Sequence, residues 1–298
     1  MTFGNVFRLM KEAVSAWIAD YAPSMGAALS YYTLFSIAPL LLIVVSVAGL
    51  VFGEEAARGE IFGQLRGMMG DEGAMALQGM LESVNRPEAG IIGTITGVVL
   101  LLVGATTVFG ELQDSLDRIF RAPEAEKGGG LWGLIRTRLL SFGMILGIGF
   151  LLIVSLVLSA ALAALAKWWS PIFGGWTILA GIFNQLVSFG LITLAFAMIY
   201  KFMPRVELAW HDVWIGAIAT SIMFAIGKYL IGLYIGRAGV SSGFGAAGSL
   251  AVVMVWVYYS GQIFLLGAEF TRLYALEHGS RRNVREEEGG RETAPAAA

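Results

Sequence analysis

Two ionisable residues stand inside otherwise apolar runs of this chain, Lys228 and Glu269. A charge in hydrocarbon costs about 2.5–3.5 kcal/mol on insertion scales, so such a residue marks a ligand, ion or gating site unless it finds water or a partner. Lys228 shares its estimated depth with Thr96, Asn184, Gln185, Tyr258 and Tyr259, polar groups drawn from several apolar segments. Together they form a candidate polar cavity that would suit an anionic, headgroup-sized ligand. The plainer alternative is that Lys228 runs its four-carbon stem to the interface and needs no cavity. Glu269 lies near the opposite surface, at the level of Glu111, Tyr31 and Tyr32. That group is a candidate inner gate, and the plainer account pairs Glu269 with a nearby arginine. The two charges differ in depth by more than about 10 Å at the helical rise, which argues against a direct ion pair.

Catalytic chemistry is poorly served. Only two histidines occur, His211 and His278, and neither belongs to an H-E-x-x-H cluster. Cysteine is absent, which removes disulfides, thiolate nucleophiles and Cys-ligated zinc. No phosphate-cradling G-x-x-x-x-G-K-[ST] loop and no G-x-S-x-G elbow is present. Glu111, Asp114 and Asp117 set three carboxylates at a spacing of three, a pattern able to bind a divalent cation. Arg118 and Arg121 follow at once, so a solvated charged face is the simpler reading. The expectation is therefore no catalytic residue, no metal and no cofactor.

The elements that position these residues follow from composition. Of 298 residues, 57% are hydrophobic and 14% charged, against about 25% charged in soluble domains. Mean hydropathy is +0.72. So few charges cannot coat a water-soluble globule, and the chain reads as an integral membrane protein. A net charge of −2 gives no global field for nucleic acid.

A helix needs about 20 apolar residues to cross the bilayer, and six segments qualify: 28–52, 91–110, 139–165, 176–200, 213–235 and 250–271. The first run begins behind Arg8, Lys11, Glu12 and Asp20 and is too long for a secretion signal, so it reads as a retained span. Pro39 sits inside it and should kink the helix, which is tolerated when neighbouring helices or water cover the freed carbonyl. Loops on one side carry fourteen Lys and Arg against five on the other, which places both termini in the cytoplasm.

The expected fold is thus all-α, a single six-helix transmembrane domain over 1–278 with a disordered cytoplasmic tail over 279–298. Residues 3–21 line up Phe3, Val6, Phe7, Met10, Val14, Trp17, Ile18 and Tyr21 as an apolar stripe, which predicts an amphipathic helix on the inner surface. Residues 53–90 predict two short external helices broken near Gly70-Asp71, and 111–120 predicts a polar helix ending before Pro123. Gly216, Ala217, Ala219, Gly261 and Gly267 allow close helix approach, and the Gly-rich 236–249 reads as an external loop or a re-entrant turn. The two halves share no convincing repeat.

Several motifs resemble the YihY/virulence factor BrkB family. MGAALSYYTLFSIAPLL at 25–41, holding Pro39, looks like its first-span signature. IYKFMP with Pro204, WHDVWIGA with Trp210, Asp212 and Gly216, and FGAAGSL with Gly245 and Gly248 follow in order. WVY with Trp256 and LGAEF with Gly267 and Glu269 complete the match, while Phe244 stands where the family often shows tyrosine. The resemblance covers about 10–275 and implies a six-span protein of the bacterial inner membrane. Labels attached to that family run from a tRNA-processing ribonuclease to serum resistance and export of lipids or lipopolysaccharide precursors. The ribonuclease label finds no His/Asp cluster or basic groove here. A transporter acting on an envelope lipid or lipid precursor fits the residues better, with a non-transporting envelope scaffold as the alternative. Expected partners are membrane lipids, and on the second reading envelope proteins or a second copy of the chain. Nucleic acid is not among them.

Overall fold

The computed structural model describes residues 3–84, 107–123, 143, 176–238 and 248–282. Every regular element among them is an α-helix. In chain order they are α1 (Phe3–Ala19), α2 (Ala22–Phe52), α3 (Glu54–Val84), α4 (107–119), α5 (Trp176–Phe202), α6 (Trp210–Ala238) and α7 (Gly248–Glu277).

Local backbone chemistry sets the breaks. Tyr21 takes a left-handed conformation with φ 58°, which ends α1 and redirects the chain. Pro23 then falls in the first turn of α2, where its missing N–H has no helical partner to lose. Gly53, at φ 86°, closes α2 by donating its N–H to the Gly49 carbonyl at 2.8 Å. Inside α3, Gly70 leaves helical space at φ 81° and ψ 175°, so this segment is two helices across a kink at the expected Gly70 break.

Among the described residues, three helices are long and apolar enough to cross a membrane: Gly181–Phe202, Trp210–Ile235 and Leu250–Glu277. They carry the expected spans 176–200, 213–235 and 250–271. The expected span 28–52 falls within α2, which stays helical at Pro39. Spans 91–110 and 139–165 lie outside the described residues, apart from 107–110 and Gly143.

Helix α7 is the hub and packs against α1, α2, α3 and α6, while α5 packs on α6. The largest core joins Met25 and Leu29 of α2, Leu116 and Ile119 of α4, Ala197 and Tyr200 of α5, Val213 and Ala217 of α6, and Leu265 and Ala268 of α7. A second core sets Phe62, Met69, Leu77 and Leu81 of α3 against Leu41 and Val45 of α2 and Val253 of α7.

Helix α1 forms within the expected residues 3–21 and also docks on the bundle. Its buried line is Leu9 and Ala13, packed on Phe270, Ile215 and Leu266, whereas much of the apolar stripe stays exposed: Phe7, Val14, Ile18 and Tyr21. Helix α1 therefore has three faces, one on the bundle, one apolar and open, one charged. The conspicuous apolar stripe marks the open face, because the bundle-facing line includes a small alanine and ends at a carboxylate, Asp20. Residues 279–282, assigned by composition to the tail, are docked: Ser280 bonds to Asp212, and Arg281 Nη1 donates to the Phe120 carbonyl at 3.0 Å.

Candidate functional site

The C-terminal third of α7 lies among polar groups from α1, α4, α5 and α6. Two glycine–threonine pairs make this possible. Thr220 donates to the Gly216 carbonyl at 2.8 Å and Thr271 to the Gly267 carbonyl at 2.7 Å, so each hydroxyl is satisfied within its own helix. Each threonine then packs onto the glycine of the other helix: a Cβ on Gly216 would overlap Thr271, and one on Gly267 would overlap Thr220. The crossing of α6 and α7 is close because neither glycine has a side chain.

Tyr200 of α5 locks into the same crossing. Its hydroxyl donates to the Phe264 carbonyl at 2.8 Å and lies 3.1 Å from Thr220 Oγ1. Its ring stacks on Phe264 with centroids 5.1 Å apart. Two turns back along α5, Thr193 donates to Ser221 at 3.0 Å.

On this frame stands a buried charged cluster. Glu269 is 0% exposed and Asp20, just beyond the end of α1, is 7% exposed. Arg272 Nε donates to Glu269 Oε2 at 3.1 Å, and Arg121 Nη2 donates to Asp20 Oδ1 at 2.8 Å. The two carboxyl groups also stand within hydrogen-bonding reach of each other. Arg121 sits in a left-handed turn, φ 53°, that ends α4 and delivers its guanidinium across to α1. One helical turn further along α7, Arg8 of α1 forks onto Glu277 at 3.1 and 2.8 Å.

Two more carboxylates clamp the connection between α5 and α6. Asp117 Oδ1 accepts the Arg205 backbone N–H at 2.7 Å, and its Oδ2 is 3.2 Å from the Arg205 guanidinium. Asp212, 1% exposed, accepts the Ser280 N–H at 2.9 Å and its hydroxyl at 2.6 Å. Lys201 donates to the Leu208 carbonyl and lies 5.7 Å over the Trp210 ring.

Burial pushes the Asp117 carboxyl above its ordinary value of 3.8, although its bond from the Arg205 N–H and the Arg205 charge pull it down. Glu111 is raised by burial and by Asp114, against Arg118. A carboxyl raised on folding contributes stability that is full below its ordinary value and lost as pH rises through the raised one. Asp117→Asn is expected to flatten that part of the acid-side melting profile, which thermal unfolding over a pH series reads directly.

The residues singled out by sequence fall as follows. Glu269 meets Arg272 and Asp20; Glu111 faces Asp114 and Arg118; Tyr31 is exposed, edge-on to Tyr32 and Phe35 at 5.6 and 5.1 Å. Lys228 is partly buried on α6, Tyr258 is exposed, and Tyr259 packs with Ile231, Ile235 and Val252. Gln185 is exposed on α5, and Asn184 occupies the helical position before it. Thr96 and Gly245 lie outside the described residues. Pro204 is buried in the α5–α6 connection, Gly248 opens α7, and Trp256 stands edge-on to Phe224 at 6.4 Å. Among the described residues, no three His, Cys, Asp or Glu side chains converge to hold a metal ion.

Arg272 is the nearby arginine that the plainer reading of Glu269 expected, whereas Asp20, Arg121, Thr220 and Thr271 carry much of this site and were not anticipated. The threonines had a signal, since Gly216-x-x-x-Thr220 and Gly267-x-x-x-Thr271 repeat one small-residue spacing. For Asp20 no local pattern could have served, because its partners come from α4 and α7.

Long apolar helices that pack closely through small residues define a membrane protein. The chain belongs to the virulence factor BrkB family, whose profile matches residues 13–292. A UPF0761 membrane protein of Tolumonas auensis is 27% identical over 256 residues, covering 85% of this chain and 80% of that protein. A UPF0761 membrane protein of Pseudomonas aeruginosa is 28% identical over 260 residues, 85% of this chain but 59% of the relative. One from Acinetobacter baylyi is 22% identical over 280 residues, 94% of this chain and 65% of the relative. The chain thus spans under two thirds of the Pseudomonas and Acinetobacter proteins. No solved structure matches it. The motif resemblance is borne out.

Proposed function

We propose that the chain is a transporter-like protein of the bacterial inner membrane, acting on an amphiphilic anion of the envelope such as a phospholipid or lipid precursor. The observation that carries this reading is the pair of buried carboxylates, Asp20 and Glu269, each held by an arginine, the half-exposed Arg121 and the partly buried Arg272, which joins α1, α4 and α7. Buried ion pairs add little stability over apolar packing, and their best-attested use is in registry and switching. A charged latch at one end of an apolar bundle is what an inner gate requires, and the same end carries most of the Lys and Arg expected to face the cytoplasm. On this reading no covalent step is involved. Driving force comes from an ion gradient, a partner or the substrate gradient itself.

The orientation is tested by reporter fusion. Alkaline phosphatase fused after residue 282 is expected to be inactive, since that enzyme folds only outside the cytoplasm.

The ligand-binding half of the reading rests on Lys228. Lys228→Glu places an acid where an anionic headgroup would bind, so transport is expected to fall to background while the protein stays in the membrane. Lys228→Met keeps the stem and removes the charge, so membrane abundance at or above wild type is expected together with a several-fold loss of transport. Methionine with full activity would make Lys228 an interfacial anchor. Both variants are read as transport rate normalised to the amount of protein inserted.

A further inference from the structure

Each member of the carboxyl pair keeps one oxygen that its arginine does not engage. Glu269 gives Oε2 to Arg272, and Asp20 gives Oδ1 to Arg121. Among the described residues the remaining oxygens, Glu269 Oε1 and Asp20 Oδ2, are buried and find no donor, and the two carboxyl groups interact with each other. Facing carboxylate oxygens repel, and a carboxylate has no hydrogen of its own to give. A proton fits between them without further space, since an acid O–H donating to a carboxylate makes one of the shortest and strongest hydrogen bonds.

We propose that Asp20 and Glu269 form a proton-binding site that holds one shared proton between α1 and α7. The charges around the pair suit it for uptake and release. Arg121 faces it from the turn after α4 and Arg272 from α7; α6 contributes Asp212, engaged by Ser280, with His211 beside it at 3.6 Å. Helix α2 carries no Asp, Glu, Lys, Arg or His. With the proton absent, two guanidiniums balance two carboxylates but the facing oxygens repel; with it present, the oxygens are joined. Both states are supported, and they differ in how firmly α1 is held to α7. Binding couples to the inner-gate reading by naming the ion, and it rests on that reading only for the direction of coupling.

The test is infrared difference spectroscopy on the purified full chain in lipid nanodiscs, taken between acid and alkaline buffer, beside thermal melting over the same range. The expected result is a carboxylic-acid carbonyl band that is lost in Glu269→Gln and shifted in Asp20→Asn. Glutamine can accept from Arg272 and donate to Asp20, so Glu269→Gln is expected to keep the wild-type acid-side melting temperature at every pH. Absence of the band, an unchanged band in both variants, or a Glu269→Gln profile as pH-dependent as wild type would overturn the proposal. Stabilisation by sodium that does not respond to pH would also overturn it, assigning the pair to a bridging cation. A protein inactive in lipid flux that retains the band refutes the transport reading and leaves the proton site standing.

Discussion

Valine in place of Gly216 or Gly267 is expected to abolish most folded protein. A Cβ at Gly216 would lie 2.6 Å from both Cβ and Cγ2 of Thr271, and one at Gly267 would lie 2.7 Å from the Tyr200 hydroxyl and 2.8 Å from Thr220 Cγ2. None of these atoms can rotate away cheaply, because both threonine hydroxyls and the tyrosine are tied to backbone carbonyls. Overpacking a filled core costs about 1–3 kcal/mol, and here α6 and α7 must also separate, breaking the Tyr200 bond. Hydrophobic burial cannot offset the strain, since lipid tails are as apolar as the helix faces they replace. Alanine should give a graded version of the same loss. Gly216→Ala combined with Thr271→Gly, which moves the bulk across the crossing, should recover part of it. Monodisperse yield after detergent extraction, with the melting temperature of what remains, measures both effects.

The second large effect is expected from Arg272→Met. Glu269 is fully buried and Arg272 is its direct ion-pair partner, so removal leaves a carboxyl whose charge only Arg121, through Asp20, helps to balance. Breaking one side of a buried pair costs about 3–5 kcal/mol, far more than the intact pair contributes over apolar side chains. Arg272→Met should therefore be poorly recovered, and the double variant Arg272→Met/Glu269→Gln should return toward wild-type yield. If the single variant is as stable as wild type, Glu269 is not held by this pair and the cluster is not a latch.

Much of the fold was legible because bilayer thickness writes itself into a sequence. The runs 176–200, 213–235 and 250–271 appear as Trp176–Phe202, Trp210–Ala238 and Gly248–Glu277. The helices overshoot the apolar runs because hydropathy records where lipid ends, while the helix continues as long as its carbonyls and charges find partners. In α7 Arg272 bonds Glu269, Glu277 bonds Arg8 of α1, and Ser280 just past the helix bonds Asp212 of α6. The Gly70 break was visible as a Gly-Asp pair within a helical pattern, and the structure puts the interruption on that glycine.

The site was legible only by halves. Glu269 stood out because a carboxyl in an apolar run has few explanations, yet the identity of its neighbours depends on how α1 docks. That docking follows Leu9 and Ala13, not the conspicuous stripe of Phe7, Val14 and Ile18. Periodicity reports that a face is apolar; it does not say whether lipid or protein covers it. For Asp20, Arg121 and Arg272 each residue alone looks like an ordinary end-of-helix charge, and only the folded arrangement makes them one cluster.

The reading of the chain as a mover of amphiphilic anions is tested most directly by flux. Purified protein reconstituted in liposomes, with a fluorescent anionic phospholipid in one leaflet, gives the translocation rate against protein-free vesicles. Wild type is expected to exceed the protein-free rate, with Lys228→Glu at background despite equal reconstitution. A wild-type rate equal to that of protein-free vesicles, under both a proton gradient and none, would contradict transport and leave a scaffold of the envelope.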